Sequence, residues 1–475
     1  MARSVDVAMH SLKTIVLLVG VTFCSAGDTA EPTAVCGSKG SLCRCEQANV
    51  LNCKNQQLDT ANLRVHSEGF SVQQLNMQEN MLTELKKGEV MPGYEQELTR
   101  LDFRRNFIHR IESGVFDHMI NLHTLLLSHN KIKHLELGVF DNMDFGLTFL
   151  DLNHNLLENL DDAPFSSLTE LKYLYLDENP LTSLSNVSFD GLGNLIELSI
   201  ENARLSEIST NAFLSLKSLE LLSLKNNLLE VVPQLKGMSN LNRIVLSGNP
   251  IVRISNHAFK WVPILENIQL RHMHQLVSIE DCAFCGLHQL QSLVISDSPK
   301  LKWIDPFAFG SNQYFNREIP LIDFSNNSLS RLNADLLPWK NVTVIRIDNN
   351  MWTCDCDLSW LKGYQSKLKE PVRCAAPEKL RNRTIDELRA VDFNCRSFIA
   401  FSHARMVTLV LLVCISSAAW IAAWYWCFNR KSMCLNWRNC ICRPKIVAYA
   451  YRNLAMADDT DQLVSEDKMP SPQSV

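Results

Sequence analysis

Leu171-Lys172-Tyr173-Leu174-Tyr175-Leu176-Asp177-Glu178-Asn179-Pro180-Leu181 decides the fold. Apolar residues at 171, 174, 176 and 181 bracket one asparagine, with polar or aromatic residues between them. The asparagine recurs as Asn80, Asn106, Asn130, Asn155, Asn179, Asn227, Asn249, Asn327 and Asn350, at a period of roughly 24 residues. Ala203, Met273 and Ser298 occupy the three positions of the frame that lack it. Such a period predicts an α/β-class repeat solenoid of about twelve turns, not a globule with one catalytic cleft. In each turn the leucines point inward from a short strand, strands of neighbouring turns stack in parallel, and a buried asparagine satisfies backbone groups at the bend.

A second ladder runs in phase with the first. Phe116, Phe140, Phe165, Phe189, Phe213, Phe259, Phe284 and Phe309 follow the asparagine position and are expected to pack the convex side. The seventh turn breaks the ladder with Val231-Val232-Pro233-Gln234, and the longest turn carries its excess in the polar stretch 310–317.

Composition fits an ordered chain: 46% of residues are hydrophobic, enough for a continuous core. The net charge of -5 over 475 residues points to neither nucleic acid nor a strongly charged partner. Residues 1–26 have the form of a secretory signal, with Arg3 and Lys13 before the apolar run 15–24 and small Ser25 and Ala26 after it; an uncleaved anchor is the alternative. A second apolar run, residues 406–428, is uncharged and long enough to cross a bilayer as a helix. Trp424, Tyr425 and Trp426 crowd its far end, and Arg430, Lys431, Arg438, Arg443 and Lys445 follow. That asymmetry predicts a type I single-pass protein at the plasma membrane, N-terminus outside.

The sixteen cysteines divide along this topology. Cys36, Cys43, Cys45 and Cys53 precede the repeats, and Cys354, Cys356, Cys374 and Cys395 follow them. A solenoid exposes core at both ends, so small disulfide-bonded caps are expected there. Spacing alone leaves three connectivities open in each cap. The resulting layout is a cap and lead-in at 27–69, repeats at 70–351, a second cap at 352–396, a stalk at 397–405, the span at 406–428 and a tail at 429–475. Cys282 and Cys285 flank Phe284, where a local disulfide, two buried thiols and a bond to a partner chain are all open readings.

Cys36-x6-Cys43-x-Cys45-x7-Cys53 and Asn350-x-Trp352-x-Cys354-Asp355-Cys356-x-Leu358-x-Trp360-Leu361 resemble the two caps of extracellular leucine-rich repeat proteins. With the repeats, the resemblance covers residues 36–395. It implies a horseshoe with a parallel sheet on the concave side and the pairings Cys36–Cys45, Cys43–Cys53, Cys354–Cys374 and Cys356–Cys395. The stretches "LVSIEDCAF" and "PKLKWIDPFAF" are similar to neuronal leucine-rich repeat receptors, although only residues 396–405 stand where those proteins carry immunoglobulin and fibronectin modules.

Residues between the strand leucines are the expected contact surface, because the fold does not require their identity. Arg100 and Arg104 make a basic start; His129, Phe149, Asp151 and His154 a histidine and aromatic middle; Tyr173, Tyr175, Asp177, Glu197 and Glu201 an acidic end. Tyrosine beside acids suits protein binding. His129 and His154 hold equivalent positions in adjacent turns, which raises a metal site or a pH sensor as alternatives to a solvated face. Asn186, Asn326, Asn341 and Asn382 fit the glycosylation rule. A glycan on Asn326 would screen the later turns, which directs a partner to the earlier ones.

In the tail, Cys427, Cys434, Cys440 and Cys442 are candidates for S-palmitoylation or remain plain thiols, and Tyr451-Arg-Asn-Leu454 resembles a tyrosine-based endocytic signal. No catalytic motif stands out, and scattered acids and histidines on an open surface do not exclude water from a reaction. The sequence therefore predicts a cofactor-free, metal-free, non-enzymatic cell-surface receptor or adhesion protein that binds an extracellular protein or receptor ectodomain and acts through partners, including a cytoplasmic adaptor. A regulator or co-receptor controlling another receptor's availability, and an innate immune receptor, are the alternative functions.

Overall fold

The computed structural model describes residues 33–34, 42–46, 49–65, 71–143, 146–310, 317–393, 395 and 398–429, without the side chains of 33–34, 398–409 and 427–429. The chain divides into two units, Met1–Cys395 and Arg396–Val475.

The first unit is a solenoid around one fourteen-stranded sheet. The strand Arg44–Glu46 pairs antiparallel with Val50–Asn52, and each later strand joins in parallel, from Gln74–Asn76 to Val342–Arg346. The central residues stay in register from turn to turn: Leu101, Leu125, Leu150, Leu174, Leu198 and Leu222 face one another in sequence. All six are fully buried. This is why an apolar residue recurs at that point. Truncating any one opens a cavity between two neighbours, at a cost of about 2–5 kcal/mol.

The asparagine ladder holds the bends. Asn179 Nδ2 donates to the carbonyls of Leu152 and Leu176, both at 3.0 Å, and its Oδ1 accepts from the Leu157 N–H at 3.1 Å. Asn80, Asn106, Asn130, Asn155, Asn227, Asn249, Asn327 and Asn350 repeat the donation to the preceding turn. At the exceptions the pattern thins: Ser298 Oγ accepts from the Met273 N–H at 3.2 Å, and the Ala203 N–H donates to Asn227 Oδ1 at 3.1 Å.

The phenylalanines form a second stack away from the sheet. Phe116, Phe140 and Phe165 lie 6.1 and 6.2 Å apart between ring centroids, and Phe259, Phe284 and Phe309 lie 5.6 and 5.0 Å apart. In the short seventh turn, buried Pro233 and Leu235 stand in the gap between Phe213 and Phe259. The excess of the longest turn, at 311–316, lies outside the described residues.

Cys43 bonds Cys53 at one end; Cys354–Cys374 and Cys356–Cys395 close the other. Cys45 is disulfide-bonded as well, and its expected partner Cys36 lies outside the described residues. The C-terminal cap seats fully buried Trp352, whose Nε1 donates to the Ile347 carbonyl at 2.8 Å, and stacks Trp360 on Trp339 at 5.0 Å. Cys282 and Cys285 form a local disulfide, one of the three open readings.

The second unit contributes one helix, Phe398–Asn429. Its side chains are described over residues 410–426, where every one is exposed. Among the described residues no helix is long and apolar enough to cross a membrane. Residues 1–26, the side chain of Cys427, and Cys434, Cys440, Cys442, Tyr451 and Leu454 lie outside the described residues.

Candidate protein-binding face

Each strand offers its first and third residues to the open side of the sheet, and the chain then turns through one more polar pair before the ladder asparagine. Strand register aligns these into columns: Arg100, Thr124, Phe149, Tyr173 and Glu197 in one, and Asp102, Leu126, Asp151, Tyr175 and Ser199 in the next.

At the basic end, Arg104 grips Asp102 through Nε at 2.9 Å and a terminal nitrogen at 2.6 Å, and Gln78 Nε2 donates to the same carboxylate at 2.6 Å. Arg100 stands 3.9 Å from it. Asp102 is buried, so this turn shows solvent three guanidiniums, with Arg105 the third. The Asp102 hydrogen bonds raise the Arg104 guanidinium above its ordinary value.

In the middle, the imidazoles of His129 and His154 stack with centroids 4.1 Å apart and planes 10° from parallel. Burial, then the neighbouring His154 and Arg105, push His129 below the usual histidine value. Among the described residues no group of three or more candidate ligands is placed to hold a metal ion. Beside the stack lies an aromatic shelf. Phe149 is 6.0 Å from Tyr173 and 5.3 Å from Tyr175 between centroids, and all three rings are half-buried. Burial first, and then the carboxylate of Glu197, push the Tyr175 hydroxyl up to about 12.

At the acidic end the predicted residues separate into two kinds. Asp177 is held within the face: its Oδ1 accepts from Ser199 Oγ at 2.7 Å and from the Glu201 N–H at 2.6 Å, and burial raises its carboxyl above the ordinary range. Glu201 accepts from Ser223 Oγ at 2.6 Å and sits 3.8 Å from Lys225. Glu197 lies in register with Tyr173 at the edge of the shelf, and Glu178 is exposed. Periodicity alone does not distinguish Asp177 or Asp102 from a freely solvated acid, because Gln78, Ser199 and the Glu201 N–H reach them from adjacent turns and Arg104 from within the same one.

One feature of this edge escapes sequence reading. The residue before each ladder position has a left-handed backbone in all twelve turns. Glu79, Arg105, His129, His154, Glu178, Asn202, Asn226, Gly248, His272, Asp297, Asn326 and Asn349 have φ of 52° to 76°. Asparagine, aspartate, histidine and glycine tolerate that conformation best, which gives His129 and His154 a backbone reason to stand where they do. The column also bonds to itself: Asn226 Nδ2 reaches Asn202 Oδ1 at 3.0 Å, and Asn349 Nδ2 reaches Asn326 Oδ1 at 2.9 Å. Of the sequon asparagines, Asn186, Asn326 and Asn382 are exposed and Asn341 is half-buried.

A second concavity, about 470 Å³, opens between the last turns and the C-terminal cap, lined by Trp303, Pro306, Arg331 and Trp360. Arg331 is engaged there with Asp355 at 3.7 Å and Asp357 at 3.9 Å.

The solenoid, its register and its asparagine bends are consistent with a leucine-rich repeat array. The leucine rich repeat family matches residues 96–144, 145–202, 193–251 and 239–299. The chain is similar to trophoblast glycoprotein of Mus musculus, 27% identical over 233 residues, which are 46% of this chain and 47% of that protein. Against trophoblast glycoprotein of Homo sapiens it is 32% identical over 137 residues, 26% of this chain and 32% of the other. The chain thus spans about half the length, or less, of the curated relatives it matches. Among solved structures, a chain of the octameric complex of Latrophilin 3, Unc5D and FLRT2 shares the fold, with a TM-score of 0.54 and 22% identity over 74% of this chain and 98% of that one.

Proposed function

We propose that this protein is a cell-surface receptor or adhesion molecule that holds an extracellular protein on its sheet face between Arg100 and Glu201. The observation that carries this reading is the shelf of Phe149, Tyr173 and Tyr175, three half-buried rings on an open surface beside Glu197. Nothing in the solenoid's own packing requires rings there, since the core runs on the other side of each strand. Rings with apolar area and, in tyrosine, a hydroxyl are the residues that most often dominate protein interfaces. The likeness to trophoblast glycoprotein and the fold shared with a chain of a multi-protein complex support this class of role.

In this reading the signal at 1–26 directs the chain to the secretory route, residues 406–428 cross the plasma membrane, and the caps seal the array at 27–69 and 352–396. A glycan on Asn326 keeps a partner on the earlier turns, and glycans on Asn186, Asn341 and Asn382 fall outside the sheet strands. The tail acts through an adaptor, with Tyr451 and Leu454 as an uptake signal and Cys427, Cys434, Cys440 and Cys442 as lipidation sites. The role is binding, without a catalytic step or cofactor.

Proximity labelling with the full-length chain on living cells tests it. The wild type is expected to label a defined set of ectodomains, and Tyr173→Ala with Tyr175→Ala to lose that set. A set unchanged by the double substitution removes the shelf from the function.

A further inference from the structure

The sheet lies on the inner side of a curve. Ring centroids in the phenylalanine stack lie 6.1 to 6.2 Å apart, whereas neighbouring strands are about 4.8 Å apart. A flat partner therefore meets the outer strands before it reaches Phe149, Tyr173 and Tyr175. A protruding loop tip reaches them. The shelf they form is small. It spans three strands, from Phe149 to Glu197, or about 10 Å, and about 7 Å along the central strand from Tyr173 to Tyr175. That is room for one or two side chains. Its floor is aromatic, with Phe149 tilted by 38° against Tyr173 and by 47° against Tyr175, which makes a shallow trough.

The rim of the trough is acidic. Glu197 shares a hydrogen bond with the Tyr175 hydroxyl, Asp177 follows Tyr175 on the same turn, and exposed Glu178 comes next. The cations of this face are mostly engaged elsewhere. Arg104 and Arg100 attend Asp102, and Lys225 lies 3.8 Å from Glu201. Asp151, on the near side of the shelf, lies in the fields of Arg104 and His129. Among the described residues Asp177, Glu178 and Glu197 form no ion pair, and exposed Lys172, one residue before Tyr173, pairs with none of them. The titrating groups report the same excess of negative charge. After burial, the charge of Glu197 raises the Tyr175 hydroxyl, and after burial the charges of Glu201 and Asp151 raise the Asp177 carboxyl.

An aromatic floor with an unpaired carboxylate rim suits a cation that also has a flat face. A guanidinium stacks on a tyrosine ring and forks toward a carboxylate at the same time, which the compact, strongly hydrated ammonium of lysine does less well. We propose that the shelf receives an arginine from the tip of a protruding loop of the partner ectodomain, stacked on Tyr175 and paired with Glu197. The proposal rests on the reading of the shelf as the contact surface and names what the partner places there. Charge complementarity at the rim makes the contact sensitive to salt.

A phage library of disulfide-closed peptide loops with randomised tips is selected on the full-length chain in detergent. It is selected in parallel on Glu178→Gln with Glu197→Gln, which keeps the side-chain shapes and removes both charges. Arginine is expected to rise at least about fivefold over input in tips selected on the wild type, and to fall back toward input on the variant. A recovered loop, made as a synthetic peptide, is expected to bind Glu197→Gln about tenfold more weakly than wild type, and to bind wild type more weakly as salt rises. If the double variant melts early, Glu197→Gln alone takes its place in the selection. Tips enriched in acidic or apolar residues, lysine enriched in place of arginine, no enrichment over input, or arginine enrichment that persists on the charge-neutral variants would each overturn the proposal. Any of these leaves the shelf as a contact surface standing, because that is read separately from the ectodomains lost with Tyr173→Ala and Tyr175→Ala.

Discussion

At the scale of single residues, the asparagine ladder converts a sequence period into satisfied backbone. Asn179 is buried and bonds three backbone groups in two turns. Asn179→Ala leaves those groups without partners in an apolar bend, and the expected loss is about 2–4 kcal/mol in denaturant unfolding. A loss under about 1 kcal/mol would show that water or relaxation replaces the side chain. The histidine pair makes a different prediction. His129 is held below the ordinary value of 6.5, first by burial and then by its neighbours. A depressed value means the folded protein resists protonation. The contribution to stability is therefore present above the ordinary value and is lost as pH falls through the depressed one. NMR titration is expected to show His129 rising toward 6.5 in His154→Gln, and an unchanged value would remove the stack as a cause. The sequence showed that His129 and His154 are neighbours. It did not show the left-handed backbone beneath them, because φ is set by the bend and the six residue types at these twelve positions tolerate it with unequal ease.

At the scale of elements, the strand positions were legible because burial on the core side leaves only apolar residues at 101, 125, 150, 174, 198 and 222. Turns that depart from the period were less so. The seventh turn replaces phenylalanine with Pro233 and Leu235 and then passes close to its neighbour. A Cβ on Gly237 would lie 2.7 Å from both Leu214 Cα and the Phe213 carbonyl oxygen, and Gly237 has φ of 93°. Gly286 has a similar φ of 84° with nothing within 4 Å. Thermal or denaturant unfolding of Gly286→Ala measures backbone strain alone, about 1–2 kcal/mol. Gly237→Ala is expected to cost at least about 1 kcal/mol more, and equal losses would mean that the two turns separate freely. The disulfides differ by the same reasoning. Cys354–Cys374 closes a loop with a sequence separation of 20, and Cys282–Cys285 one with a separation of 3. Serine pairs at the cap are expected to lose about 2–5 kcal/mol, and at the short loop far less. The reverse order would give Cys282–Cys285 a structural role that its loop length does not.

At the scale of the whole molecule, the proposed protein-binding face occupies a few strands of a long array. The concentration of aromatic residues on the strands from Phe149 to Tyr175 was visible in the sequence. Which acids remain available was not, since Asp102 and Asp177 are taken up by Arg104, Gln78, Ser199 and the Glu201 backbone from within and across turns. The surface left for a partner is thus narrower than the sequence alone implied: the rings, Glu197, Glu178 and the exposed parts of Arg100, Arg104, Arg105 and Glu201. The most direct measurement is the affinity of the full-length chain for an ectodomain recovered by proximity labelling. It is compared in the wild type, in Tyr173→Ala with Tyr175→Ala, and in Leu321→Ala with Val344→Ala. Leu321 and Val344 are half-buried, in-register apolar residues on the later strands, which makes them a matched control. The account predicts a loss of about tenfold or more for the tyrosine pair, as for an interface hot spot, and little change for the control. Affinity that survives loss of the tyrosines and falls with Leu321 and Val344 would contradict it.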